Sequence, residues 1–423
     1  MKRFSSLISL LCLGILLSFQ SCVKDQCVET VTVTQWTPIY KSYEEARNGV
    51  QSKDPITLKD PGKIFFYGNY LLINEKYKGV HVINNIDPAN PQKVSFIEIP
   101  GAIDVAVRES ILYADSGTDL VAIDISDPTN ARQTKRLEDV LPYPTFDNNQ
   151  WANSNLGVVV GWDQQEIVTT RDINCDGANN NNGGAISFEA DASASSVDNV
   201  SNNPNTGQGG SLARFAISQK YLYVVSNRDL LFFDINDRRN PTVGGDMQIG
   251  WGIETVYPYK DKLFIGSNNG MFIYDVANPN SPEQLGTFAH VTSCDPVVAN
   301  DEYAYVTLRS GNNCRLGEDR LDVLDIKDLR NPTLEKSYEM NQPFGLGIDK
   351  DLLFVCDEGL KVYNTNDPLA LEDHLIKHYK NLNTYDVIPF NNILMVIGED
   401  GLYQYSYEDA ENIFLVSKIL VGE

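Results

Sequence analysis

Imidazole is scarce in this chain. Its four histidines, His81, His290, His374 and His378, are scattered over 423 residues. Such spacing offers no metal cluster and no set of general bases. A Gly-x-Ser-x-Gly elbow, a Gly-x-x-x-x-Gly-Lys phosphate loop and a Cys-x-x-Cys pair are also missing. Their absence removes the motif basis for a serine hydrolase, a nucleotide cradle or a zinc ribbon. Positive charge is short: 34 Lys and Arg stand against 57 Asp and Glu, for a formal charge of −23. A surface this acidic has no electrostatic footprint for nucleic acid and is repelled by anionic lipid. Beyond Leu7–Leu17 no apolar run is long enough to suggest a transmembrane helix.

That one run has a purpose. Lys2-Arg3 precedes it and small or polar residues lead to Cys22, the layout of an export signal. Ser21-Cys22 resembles a bacterial lipoprotein processing site. The reading is a signal at residues 1–21, lipidation of Cys22 and a tether with an edge strand over 22–61. The alternative is plain secretion with Cys22 as an ordinary cysteine. Val23-Lys24-Asp25-Gln26 resembles the charged tether that sends some Bacteroidetes lipoproteins to the outer face. Processing would remove Lys2, Arg3 and no acid, moving the formal charge from −23 to −25.

What the chain has in quantity is a repeated phrase, a short apolar run closing on Asp or Asn. It reads Val80–Asn84, Leu120–Asp124, Leu230–Asp234, Met271–Asp275, Leu321–Asp325 and Leu360–Asn364, with a degenerate Leu402–Ser406. The starts are spaced 40, 110, 41, 50, 39 and 42 residues. A period near 40 with strand-like content is the mark of sheets arrayed about an axis. Around Leu230–Asp234, the runs Ala213–Ser218, Tyr221–Val225 and Thr242–Ile249 complete four short strands separated by turns. The fold class is therefore all-β: a seven-bladed β-propeller of four-stranded antiparallel blades over residues 62–423. The closing acids lead into turns such as Asp87-Pro88 and Asp127-Pro128, where Asx side chains bond their own backbone. They read as structural. Val31-Thr32-Val33-Thr34 suggests an extra edge strand near the ring closure.

These pentapeptides, with their following Asp-Pro or Asn-Pro turns, resemble the LVIVD repeat family of bacterial and archaeal cell-surface proteins. The resemblance runs from about Gly62 to Glu423. It implies a propeller at the cell surface and supplies no general catalytic residue. Asn84, Asn364 and Ser406 depart from the closing Asp.

The 110-residue spacing marks an insertion between blades two and three, at about 140–210. Long loops on rigid scaffolds often carry function. This one should open on the face where innermost strands begin. Within it, Gly157–Thr170 could make a hairpin, and Asn174–Gly210 is rich in Asn, Ser and Gly, composition that cannot build a core. Asp172, Asn174 and Asp176 fit the first half of a calcium loop, with Gly177 for the turn. The twelfth position is Gly183 rather than Glu, so an ordinary Asx-rich turn is the competing reading.

Aligning the blades places Asp104, Arg214, Gly345 and Asp386 at one offset where the innermost strand starts. Glu254 and Asp295 join them if blades four and five have longer hairpins, and Ile64, beside Lys63, holds the place in blade one. Asp104, Arg214, Glu254, Asp295 and Asp386 then ring the channel mouth as candidate ligand groups. The plainer reading is that they cap strand ends. Cys294 and Cys314 flank one blade-five hairpin on that face and are expected to pair in an oxidising compartment. Cys356 reads as a buried small hydrophobe.

Two functions fit. The first is a non-enzymatic, lipid-anchored envelope protein that binds or scaffolds through the mouth, with the membrane and a glycan or envelope protein as partners and calcium as the one candidate cofactor. The second is a carbohydrate-active hydrolase or lyase using two acids of the ring. Trp151, Trp162 and Trp251 offer sugar-stacking faces to either.

Overall fold

Blade three shows how this sequence makes the unit. Phe215–Ser218, Tyr221–Val225, Asp229–Asp234 and Thr242–Gln248 pair in that order as an antiparallel sheet. The first three strands are apolar because neighbouring blades cover both their faces, whereas the outer strand is largely exposed. The computed structural model describes residues 27–146, 151–173, 206–290, 296–310 and 318–422. They contain seven such blades, whose innermost strands are Pro61–Tyr67, Val105–Arg108, Phe215–Ser218, Ile253–Tyr259, Val297–Ala299, Leu346–Asp349 and Thr384–Phe390. The degenerate phrase of blade seven, within Gly401–Ser406, is a third strand like the rest.

Six apolar clusters tile the seams between blades. One spans blades one to three, with Leu72, Val107, Tyr113 and Phe233 buried in it. Another joins blades seven and one through Ile73, Ile83, Ile397 and Leu402. Burying each such side chain contributes about 1.5–3 kcal/mol. In every blade the pairing of third and outer strands slips at one matched place, for example at Phe232/Phe233 and Gln404/Tyr405. Such a bulge bends the edge and strengthens its twist.

The closing Asx residues do what their chemistry predicts. Asp124 Oδ1 accepts from the N–H of Ser126, and Asp234, Asp275, Asp325, Asn84 and Asn364 repeat that bond two residues on. The next Asx caps again, as Asp127 does for Thr129. These turns are also gripped by the preceding blade: the hydroxyl of Tyr113 donates to Arg238 O, Tyr338 to Pro368 O and Tyr379 to Ile413 O.

All four strands of blade seven come from the C-terminal end of the chain and blade one's first four from nearer the start, so no strand is shared across the closing seam. Buried Asn85 and Gln404 instead exchange two amide hydrogen bonds of 2.8 Å. The N–H of Gly422 donates to Leu58 O.

Two expectations are corrected here. The extra strand on blade one's outer edge is Gln51–Lys53, paired with Gln92–Glu98. The Thr30–Gln35 run belongs to Cys27–Lys41, which pairs with Val158–Ile173 as a separate two-stranded sheet. Val158–Ile173 is thus one long strand and not a hairpin. The chain divides into two compact units. One holds the propeller, within Pro38–Asp163 and Glu189–Glu423; the other, within Met1–Thr37 and Gln164–Phe188, contains the far part of the two-stranded ribbon.

Candidate functional site

In each blade the start of the innermost strand and the hairpin between the second and third strands lie at one end, because successive strands are antiparallel. The Asx turns lie at the other. The insertion leaves blade two after its outer strand, Arg132–Leu137, and so emerges on the first of these faces. Leu141 is buried there, and its N–H donates to Thr118 O. Tyr143, Phe146 and Trp162 form a chain of ring contacts, with Phe146 also against Tyr77. Val158 is buried against Gly101 and Gly117, both at positive φ. A Cβ at either glycine would collide with the Val158 side chain.

The insertion's return is the feature the sequence reading missed. Thr206 bridges to Arg108, at the far end of blade two's innermost strand, and the Gly207 N–H donates to Val107 O. Gln208 and Gly209 pair with Phe66 and Phe65, as a further strand on the axial side of blade one. Thr206–Arg214 therefore climbs the central channel. Cβ atoms at Gly207 and Gly210 would strike Phe65 and the Asp386 carboxylate, so glycine is what permits the passage.

Two of the ring acids hold this segment. Buried Asp386 accepts from the Ser211 N–H at 3.1 Å, the Ser211 hydroxyl at 3.0 Å and the Leu212 N–H at 3.2 Å. Ser211 Oγ in turn accepts from the Leu346 N–H of blade six. Gly345 fills the ring position of that blade, where any Cβ would strike Asp386. Buried Asp104 accepts from the Arg214 N–H, the Val105 N–H and, at 2.7 Å, the Lys63 ammonium. Blade four contributes too: the Val256 N–H donates to Ala213 O.

The electrostatics follow from burial. Desolvation pushes Asp386 up to about 6 despite its N–H donors. It does the same to Asp115, which accepts from the N–H groups of Ile103 and Asp104. Burial pulls Lys63 below the usual lysine range, against the attraction of Asp104. Beside these groups lies a cavity of about 30 Å³ lined by Asp104, Asp115, Arg214, Pro142 and Pro144. That is room for about one water, not for a sugar ring.

Further out on the face, cations stack on rings. The Arg228 guanidinium sits 3.7 Å from the centroid of Trp251, which is 61% exposed. Arg309 lies 4.1 Å over Phe344, which neighbours Tyr385.

Other expected groups fall elsewhere. Glu254 lies in blade four's innermost strand and is half-buried. Asp295, Cys294, Cys314, Asn174, Asp176 and Cys22 lie outside the described residues, and Asp172 is next to last in the strand Val158–Ile173. Cys356 is a buried thiol, as its apolar setting predicts. Among the described residues no three His, Cys, Asp or Glu side chains are grouped to hold a metal ion.

The LVIVD repeat family matches residues 101–134, 209–247 and 261–289, within blades two, three and four. No curated protein matches the sequence. Among solved structures, the computationally designed Ika8 protein is 9% identical, with 85% of this chain and 87% of that one covered at a TM-score of 0.49. Saccharomyces cerevisiae Sqt1 is 7% identical, with coverage of 90% and 88% and a TM-score of 0.49. Kluyveromyces lactis Hsv2 is 10% identical, with coverage of 86% and 100% and a TM-score of 0.46. Likenesses this remote say nothing of function. With seven blades among the described residues and the repeat matched at three segments, this chain is a β-propeller that carries LVIVD repeats in blades two, three and four.

Proposed function

We propose that this chain is a lipid-anchored protein of the bacterial cell envelope that binds or scaffolds through the channel-mouth face. The observation that carries the reading is the state of the ring acids. Asp104 and Asp386 are buried and bonded to the chain's own backbone, and the cavity beside Asp104 is the size of one water. A glycosidase needs two carboxyl groups flanking an open, sugar-sized cleft. A binder needs a surface, and Trp251 under Arg228 and Phe344 under Arg309 supply rings and cations on the same face as Asp104, Arg214 and Asp386. Stacked cation–aromatic pairs suit a glycan or an envelope protein. The anchor rests on Lys2-Arg3, Leu7–Leu17 and Cys22.

The test has two arms. Cys22→Ala in the full chain should preserve export and release the protein from membranes; unchanged membrane retention overturns the anchor. The released protein is then sedimented with isolated envelope polysaccharide and with stripped envelope membranes, in calcium and in chelator. Trp251→Ala with Phe344→Ala should abolish co-sedimentation, and Val243→Ser on an outer strand should not. Calcium dependence would assign the ion to Asp172, Asn174 and Asp176. Release of reducing sugar by the native chain would replace the binding role with the hydrolytic one.

A further inference from the structure

The ribbon strand Cys27–Lys41 has one edge paired with Val158–Ile173, and among the described residues no strand pairs with its other edge. Between Glu29 and Lys41 it carries no charge. The run Thr30–Thr37 is Thr-Val-Thr-Val-Thr-Gln-Trp-Thr, β-branched or aromatic at every place but one. Long uncharged edges are what soluble proteins avoid, by placing Lys, Asp or Pro on them. The companion strand follows that rule, with Glu166, Arg171 and Asp172 along its length. Exposed apolar side chains lie on this strand too: Val33 is 51% exposed and Ile39 is 50% exposed.

We propose that Thr30–Trp36 pairs edge to edge with the same segment of a second copy of this chain, antiparallel about a two-fold axis at Val33. The alternation is self-complementary in that register. Val33 faces Val33 and Thr32 faces Thr34 twice, while Thr and Val stay on opposite faces of the four-stranded sheet that results. Charge selects the place. Two copies at −23 repel each other over most of their surfaces. This uncharged segment is where their backbones meet with least repulsion. A seven-residue edge is a small interface, so pairing is weak in dilute solution and strengthens when copies are concentrated on one surface. Salt screens the residual repulsion and favours it.

The test places Cys at position 33 of the full chain (Val33→Cys) and oxidises it, with the native chain and Val243→Cys as references. The side chain is exposed in the ribbon, so folding is not at issue. Self-opposed residues in antiparallel strands bring Cβ atoms within about 4.5–5.5 Å. The expected result is a double-mass species on a non-reducing gel, at least tenfold above both references and increasing with salt. Adding Thr32→Lys and Thr34→Lys, which oppose each other across the axis, should remove it. No excess over the references would overturn the proposal. So would cross-linking to a protein of different mass, which would make the edge a docking strand for another partner.

Discussion

Asp386 holds Ser211, a residue 175 positions earlier in the chain, by both its backbone N–H and its hydroxyl. The pair ties the start of the last blade to the segment that leads into blade three. With Asp104 and Arg214 it fixes Thr206–Arg214 inside the channel. A carboxylate accepting several N–H groups is a strong anchor. Two acids of the expected ring, Asp104 and Asp386, are thus a clamp on the chain's own backbone.

Asp104→Ala should be among the most damaging single changes at the mouth. It strips the half-buried Lys63 ammonium and the Arg214 N–H of their acceptor. Leaving such partners without their acceptor typically costs about 1–3 kcal/mol, more for a charged group. Lys63→Met should cost less, because Asp104 keeps two N–H donors. Denaturant titration of the two variants and their double mutant measures this. Equal, additive losses would show that the pair is not coupled.

The closing seam gives a second prediction. Gln404→Leu leaves the buried Asn85 amide without its two partners. An orphaned buried polar group costs about 1–3 kcal/mol. Asn85→Leu with Gln404→Leu should recover part of that loss, because neither amide is then stranded. A double-mutant cycle with no coupling would place the seam's strength in its apolar cluster alone.

Acid should stabilise the mouth before it unfolds the protein. Asp115 and Asp386 stand near 6 in the folded chain, pushed up by desolvation. The folded state therefore binds more protons than the unfolded one between about pH 4 and 6, and their contribution to stability rises as pH falls through that window. Glu75 runs the other way. Burial opposes its ionisation, yet His81, the Lys59 N–H and Lys78 hold it at about 2, so its contribution is lost below about pH 4. Asp115→Asn removes one titration and keeps the shape. Native stability should gain on this variant by on the order of 2–3 kcal/mol between pH 7 and 4. A difference flat with pH, from denaturation curves across that range, would remove Asp115 from the account.

The docking of the insertion can be tested at Gly101. Its φ of +82° is in the left-handed region, and a Cβ there would strike Val158. Gly101→Ala should lower stability by about 1–3 kcal/mol. It should also raise proteolysis within 141–173 more than elsewhere. Cleavage unchanged in that stretch would mean that the contact does not hold the insertion down.

Local chemistry was legible in the sequence, and distant contacts were not. The seven blades and their Asx turns follow from runs and turns a few residues long, so pentapeptides such as Leu230–Asp234 announce them. Register across blades placed Asp104 and Asp386 correctly at strand starts. Their partners lie 110 and 175 residues away, and no periodicity reports such a bond. The channel segment left one readable trace, Gly207, Gly209 and Gly210 just before the aligned Arg214. By composition, however, a glycine needed for close passage looks like a linker glycine. The edge strand Gln51–Lys53 is three residues long and too short to carry a pattern.

Amide hydrogen exchange over residues 206–214 tests the central claim most directly. If Asp386 and Asp104 clamp this segment in the channel, the amides of Gly207, Ser211, Leu212 and Arg214 should exchange as slowly as those of the neighbouring innermost strands. Asp386→Ala should accelerate Ser211 and Leu212 by at least tenfold and leave the blade-four strand Lys262–Ser267 protected. Rapid exchange across 206–214 in the native chain would contradict the account, because the ring acids would then be available to an outside ligand and the channel would be open.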